Sequence, residues 1–230
     1  MIDIVLATCE RLELLKRTLD SIWRNTHTPY RLTVIDDASM TGNREYVRGL
    51  YEAGKIAGCV LRKRRLGIAA NLRAIEGLSQ SELVVYCDDD QLCPNVTPDW
   101  LSRELAAMAE RPTLGILSLN NPHGNVRGDK RHRIGCDGTV TYCERSGGSY
   151  LCIRRELLWR IAPGDGIRSP VSRMCGRAIE LGWQNGYLTH TYAQHIGTVS
   201  VRNGDNLAGE LELLGAVDPE TLEPSKEYRL

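Results

Sequence analysis

A chain of 230 residues with 42% hydrophobic and 25% charged side chains has enough apolar material for one sizeable core, and the composition is that of a folded globular protein. Lysine plus arginine and aspartate plus glutamate balance at 29 each, so no overall field steers the molecule toward nucleic acid or an anionic membrane. No run approaches the roughly 20 apolar residues that cross a bilayer, and Met1-Ile2-Asp3-Ile4-Val5-Leu6 has no basic segment ahead of a long apolar stretch, which predicts a cytoplasmic protein.

The chain opens on the apolar run Ile2 to Ala7, followed by Leu12, Leu15, Leu19 and Ile22 at three- and four-residue spacing. That is a strand, then a helix. The unit repeats: Arg31 to Ile35 reads as a strand, Asn43 to Ala53 as a helix and Gly58 to Leu61 as a strand. Ile68, Leu72, Ile75 and Leu78 mark another helical face, and Leu83 to Cys87 a buried strand. Strands alternating with helices of this length predict right-handed crossovers and an α/β fold with a mostly parallel central sheet. Ligands then sit at the carboxyl ends of the strands.

Pro98 to Ala109 is expected to be helical, with Pro112 beyond its end, and Thr113 to Leu119 returns to a strand. The turn-rich Asn120-Asn121-Pro122-His123-Gly124-Asn125 leads into a weakly alternating segment to Glu144 that predicts a small β region. Ser149 to Ile153 reads as a strand, and Glu156 to Ile161 and Met174 to Leu181 as helices, the second closed by Gly182. Tyr187 to Ile196 is a late strand. We expect one domain over 1–214 in two halves, 1–119 and 120–214, and a polar tail over 215–230.

The eight cysteines are dispersed with no C-x-x-C pair, so most are expected to be buried free thiols rather than zinc ligands.

The residues that carry chemistry fall just after strands. Asp88-Asp89-Asp90 follows Leu83 to Cys87 directly, and three adjacent carboxylates require something to offset their repulsion. Hard cations such as Mg2+ or Mn2+ are held by one or two carboxylates plus substrate phosphate oxygens, and a diphosphate leaving group needs such a cation. An acidic triplet also caps helices or faces solvent, but its place after a buried strand favours the cation. Asp36-Asp37 follows Val34-Ile35 and is expected at the same sheet edge, where one of the two suits a ribose or base edge; Asp-Asp-Ala-Ser is equally good turn chemistry. Gly67 opens a helix after Arg62-Lys63-Arg64-Arg65, and helix starts with basic neighbours suit phosphate.

Together these segments resemble the family 2 glycosyltransferases of the GT-A fold. Ile4-Val5-Leu6-Ala7-Thr8, Val34-Ile35-Asp36-Asp37-Ala38-Ser39, Leu66-Gly67-Ile68-Ala69-Ala70-Asn71 and Val85-Tyr86-Cys87-Asp88-Asp89-Asp90 stand in the family's order over roughly the first half of the chain. The resemblance implies a metal-dependent hexosyl- or pentosyltransferase that uses a nucleotide diphosphate sugar as donor. It places Ala7 and Thr8 against the nucleotide and gives Asp36 or Asp37 its base or ribose. Arg65, Gly67, Asn71, Asp88 and Asp89 fall on the donor side. Asp88 and Asp90 form the D-x-D motif, with Asp90 the direct ligand of Mn2+ or Mg2+ and Asp88 nearer the ribose or a metal water.

Gly147-Gly148-Ser149 looks like the family's glycine pair before a strand beneath the acceptor, and Gln194-His195-Ile196-Gly197 resembles the late histidine that supplies a further metal ligand in some members. A lone histidine is also a common structural residue. The chain departs from the family where inverting members carry an acidic pair: here the stretch reads Ser169-Pro170-Val171-Ser172. Transfer with inversion needs a base at the acceptor hydroxyl, and Asp165, in the turn-forming Pro163-Gly164-Asp165-Gly166, is the first substitute, with Glu144 second.

The expected acceptor is a glycan or lipid-linked glycan. Arg127, Lys130, Arg131 and Arg133 with His132 also suit an anionic acceptor, giving the alternative of a transferase acting on a hydroxylated base in nucleic acid. The neutral overall charge and the lack of interleaved aromatics weigh against it. A non-catalytic nucleotide-sugar-binding module is a further alternative. A dinucleotide-binding Rossmann fold ranks last, because no G-x-G-x-x-G follows the first strand.

Overall fold

In a computed structural model of the chain, residues 1–40, 42–121, 132–164 and 169–197 are described. Met1–His195 form one compact unit and Ile196–Leu230 a second, of which Ile196 and Gly197 are among the described residues.

The first half follows the expected alternation: β1 (Ile2–Thr8), α1 (Leu12–Asn25), β2 (Tyr30–Asp36), α2 (Asn43–Glu52), β3 (Gly58–Leu61), α3 (Gly67–Leu78) and β4 (Leu83–Asp88). After the short β5 (Gln91–Leu92) come α4 (Trp100–Glu110) and β6 (Leu114–Asn120). β7 (Arg133–Cys136) and β8 (Val140–Cys143) make the expected small β region, followed by β9 (Leu151–Arg154), α5 (Arg155–Ile161), α6 (Pro170–Glu180), β10 (Gln184–Tyr192) and β11 (Gln194–His195).

Nine strands form one sheet in the order β3-β2-β1-β4-β9-β6-β10-β8-β7, and β5 pairs with β11 in a separate two-stranded sheet. β1 pairs in parallel with β2 and β4, β2 with β3, and β6 with β10. β9 enters between β4 and β6 in the antiparallel sense, so β6 and β10 still run the same way as β1. The mostly parallel α/β architecture expected from the sequence is therefore present, with two reversed strands, β9 within the sheet and β8 near its edge, and apolar patterning does not distinguish the buried β9 from a parallel strand.

Alternation along β1 divides the core. Ile4 and Leu6 pack on one face with Leu15, Leu19, Val47, Trp100 and Met108 of α1, α2 and α4. Val5 and Ala7 pack on the other with Leu72, Ile75, Leu157, Met174 and Ala178 of α3, α5 and α6. Both faces of the sheet are covered, which requires the continuous apolar strands seen in the sequence.

α4 begins two residues later than expected. Asp99 takes the N-cap position and its carboxylate accepts from the Ser102 amide at 2.8 Å, as well as from the amides of His27 and Thr28. Side-chain capping outweighs the preference of Pro98 for a first turn. The eight cysteines are free thiols, and Cys87, Cys93, Cys143, Cys152 and Cys175 are buried, as expected for most of them.

Two buried carboxyl groups give opposite stability signatures. At the amino edge of the sheet, Asp3 accepts from Arg31 Nε at 2.7 Å, from the hydroxyls of Ser79 and Ser81, and from the Gln80 amide. Burial pushes this carboxyl up, but Arg31, Ser81, Ser79 and Gln80 outweigh it and hold it well below the usual carboxylate range. Its stabilisation is present above the unfolded carboxylate value and is lost as pH falls below it. Asp3→Asn is expected to cost about 2 kcal/mol in urea unfolding at neutral pH, with the gap to the native chain closing below about pH 4.

Glu104 on α4 is fully buried, neither carboxylate oxygen has a hydrogen-bond partner among the described residues, and burial raises its pKa well above the ordinary value. The folded chain therefore holds a proton that the unfolded chain releases, and stability falls as pH rises above the unfolded value. Glu104→Met is expected to raise stability by about 1–3 kcal/mol at pH 8, with a smaller gain at pH 5. Equal gains at both pH values would show that the side chain ionises freely.

Candidate functional site

Two acidic groups flank the carboxyl end of β1. Thr8 lies opposite Asp36 of β2, and Ala7 opposite Asp88 of β4, so Asp36-Asp37 and Asp88-Asp89-Asp90 emerge at one sheet edge on either side of one strand. This is the edge where ligands bind in parallel α/β sheets.

The triplet divides by partner. Asp89 is fully buried: its Oδ2 accepts from Thr8 Oγ1 at 2.6 Å, its Oδ1 from Arg11 Nη2, and its carbonyl from Thr18 Oγ1 at 2.8 Å. Asn43 Nδ2 in turn donates to Thr8 Oγ1 at 2.9 Å. Both oxygens of Asp89 and the hydroxyl of Thr8 are thus engaged within the protein. These side chains anchor the tip of β4 to β1, α1 and α2 at the edge where Thr8 and Asp89 are expected beside the donor.

Asp90 is nearly buried. Its Oδ2 accepts from Arg11 Nη1 at 2.7 Å and stands 3.3 Å from His195 Nε2, and its Oδ1 accepts from Gln91 Nε2 at 3.1 Å. Asp88 is half-buried, with Oδ1 accepting from Tyr86 Oη at 2.8 Å. Burial and the neighbouring Asp90 charge raise the Asp88 carboxyl. Burial opposes ionisation of Asp90 too, but His195 and Arg11 outweigh it and hold Asp90 below the usual range. The Asp90 hydrogen bond raises His195 against the effect of burial. Charge density is therefore concentrated on Asp90, between a guanidinium and an imidazole.

Arg11, just before α1, bridges Asp89 and Asp90 and was not among the residues expected at the site. The one signal for it in the sequence is the triplet itself, which requires a nearby cation.

Among the described residues no group of three or more histidine, cysteine, aspartate or glutamate side chains is arranged to hold a metal ion. Two are in contact: Asp90 and His195 offer one carboxylate oxygen and one imidazole nitrogen 3.3 Å apart, with Asp88 two residues away on the same edge. That donor set fits Mn2+ or Mg2+, which take few protein ligands when substrate phosphates complete the shell.

Asp36 and Asp37 also separate. Asp37 accepts from Arg62 Nη1 at 3.0 Å, from the Leu66 amide at 3.0 Å and from the Gly67 amide at 2.7 Å. It satisfies the first amides of α3, which has no cap of its own. The Gly67 amide is accordingly engaged by Asp37 rather than turned to a phosphate, and Gly67 itself sits at φ +78°, a conformation suited to glycine. Asp36 uses Oδ1 to accept from the Ser39 amide at 2.9 Å, whereas its buried Oδ2 has no partner among the described residues. Asn43 Oδ1 and Asn71 Oδ1 are likewise buried without partners. Such groups call for a function or a ligand donor, so of the two aspartates Asp36 keeps an acceptor to offer. Ala7 is buried beside them, and exposed Arg65 is near enough to draw down the Cys9 thiol, which burial pushes up to about 11.

Glu144 is not brought to this edge. It follows β8, which runs antiparallel to β10, and its carbonyl accepts from Asn185 at the beginning of β10, so it lies toward the amino edge. Its exposed carboxylate stands 3.4 Å from His132 Nδ1. Glu144, the second candidate base, thus lies away from the edge that carries Asp36 and Asp90. Asp165, Arg127, Lys130 and Arg131 lie outside the described residues, while Arg133 and His132 are exposed.

A family model described as glycosyl transferase family 2 matches residues 3–161. The chain belongs to glycosyl transferase family 2. Solved structures agree with this membership at the level of the fold. The mannosyltransferase PcManGT from Pyrobaculum calidifontis, in complex with GDP-Man and Mn2+, superposes with a TM-score of 0.71 at 21% identity, over 88% of this chain and 58% of that one. TarS from S. aureus in complex with UDP-GlcNAc gives 0.67 at 15% identity, over 87% and 61%. GalNAc-T7 with UDP, GalNAc and Mn2+ gives 0.65 at 14% identity, over 85% and 43%. This family 2 chain thus spans less than two thirds of the length of each of those three proteins and shares their GT-A fold. A search of the curated proteins finds no significant match. No helix among the described residues is long and apolar enough to cross a membrane.

Proposed function

We propose that this family 2 chain moves a sugar from a nucleotide diphosphate sugar to an acceptor hydroxyl, with the donor lying across the carboxyl ends of β1, β2 and β4. The observation that carries the reading is the convergence, on either side of β1, of Asp36 with its unpartnered Oδ2 and of Asp90 with His195.

In this reading Asp36 accepts a hydrogen bond from the base or ribose, and Arg65 offers charge to the diphosphate. Asp90 and His195 hold Mn2+ or Mg2+, with Asp88 beside them. When bound there, the cation stabilises negative charge on the departing nucleoside diphosphate. The protein's own contribution is positional: Asp89, Arg11 and Thr8 fix the tip of β4 before any ligand arrives, so little reorganisation accompanies reaction.

A glycan or lipid-linked glycan is the acceptor class we propose. Asp165 remains the proposed base for the hydroxyl proton. The Mn2+-containing complexes of similar fold support a metal-assisted transfer.

The test is to incubate the purified chain with UDP- and GDP-sugars, with and without Mn2+, following nucleoside diphosphate release and thermal stability. A matching donor is expected to raise the melting temperature by several degrees in a Mn2+-dependent way and to release nucleoside diphosphate. Binding without release points to a non-catalytic module. Neither binding nor release with any donor overturns the proposal.

A further inference from the structure

Gln91 ties the edge that carries Asp90 to the acceptor-side segment Gly147-Gly148-Ser149. Its side chain is buried and both ends of its amide are used: Nε2 donates to Asp90 Oδ1 at 3.1 Å, and Oε1 accepts from Ser149 Oγ at 2.9 Å. Ser149 Oγ accepts in turn from Asn121 Nδ2 at 3.0 Å. The backbone of Gln91 pairs with His195 between β5 and β11, and its carbonyl accepts from Tyr150 Oη at 2.7 Å.

The Asp90 carboxylate sets the direction of this chain, because it only accepts. Gln91 turns Nε2 to Asp90 and so presents Oε1 to Ser149, whose hydroxyl donates its single proton to it while accepting from Asn121. A flipped Gln91 would set its carbonyl oxygen against the Asp90 carboxylate. Each link is buried, with Gln91, Ser149 and Asn121 at 5%, 2% and 8% exposure, so water cannot substitute cheaply for a lost partner.

We infer that Gln91 is a positioning residue that sets the orientation of the Asp90 carboxylate, and that Ser149 and Asn121 act on Asp90 through it. Changes on the acceptor side are thereby felt at the donor-side carboxylate without touching it. The inference rests on the reading of Asp90 as a cation-holding residue.

The experiment is a double-mutant cycle on Mn2+ affinity, with Mn2+ alone as the probe, free ion counted by electron paramagnetic resonance, and the full chain as protein. Gln91→Met and Ser149→Ala are each expected to weaken Mn2+ binding by about 10-fold, the usual effect of removing an outer-shell partner. In the Gln91→Met background, Ser149→Ala is expected to add less than about 2-fold, because the link it acts through is gone. Ser149→Thr, which keeps the hydroxyl, is expected to bind as the native chain does. Should Gln91→Met fail to fold, Asn121→Ala combined with Ser149→Ala runs the same cycle one link further out.

Native affinity in Ser149→Ala, or effects that multiply in the double variant, overturns the inference while the reading of Asp90 stands. Equal Mn2+ binding by the native chain and Asp90→Asn defeats that reading and the inference with it.

Discussion

Asp90→Asn is expected to lower turnover with the preferred donor by about 10²–10³-fold, the range typical of losing one preorganised electrostatic group, and to weaken Mn2+ affinity by about 10-fold or more. The substitution keeps the shape of the side chain but removes its charge, which lies between Arg11 and His195. Arg11 retains Asp89 as a partner, so the fold survives. A loss of about 1–2 kcal/mol in urea unfolding is expected for the weakened hydrogen bonds. The contrast between a large loss of turnover and a small loss of stability is the informative result. Unchanged turnover would remove Asp90 from the chemistry altogether.

Arg11→Met has the opposite signature, with stability as its main readout. Among the described residues the guanidinium is the only cation bonded to Asp89, a fully buried carboxylate, and it also binds Asp90. Burial raises the Asp89 carboxyl to about 7 even beside Arg11, so at alkaline pH removing its partner leaves an uncompensated buried charge, at a cost of about 3–5 kcal/mol. Arg11→Lys is expected to recover only part of this, since an ammonium cannot span two carboxylates as a planar fork does. The double variant Arg11→Met with Asp89→Asn should regain stability relative to Arg11→Met alone, because the orphaned charge is then absent. Equilibrium urea unfolding measures all three. A loss below about 1 kcal/mol for Arg11→Met would mean that the β4 tip is held by its other hydrogen bonds.

Periodicity alone marks β1 through β4 and the intervening helices, because a sheet covered on both faces leaves continuous apolar strands and each crossover helix a clear apolar stripe. It also brings Asp36 and Asp88 to one edge, since polar residues directly after parallel strands have nowhere else to emerge. Partners distant in the chain leave no such trace. Arg11 lies 78 residues from Asp89, and nothing in Cys9-Glu10-Arg11 announces the pairing. The triplet's need for a cation was legible, but the sequence alone assigned that need wholly to a metal. Asp37 and Asp89 illustrate the same gap: each has both oxygens bonded within the protein to partners distant in the chain. Reversal of β9 was hidden for a related reason, because strand direction depends on the path of the chain and not on side-chain pattern.

The most direct measurement is an anomalous-difference map from crystals grown with Mn2+ and the nucleoside diphosphate that most raises thermal stability. The expected result is a manganese peak in contact with Asp90 and His195, with the nucleoside reaching across β1 to Asp36. A peak away from both side chains, or a nucleoside bound at the edge that carries Asp3, would contradict the account.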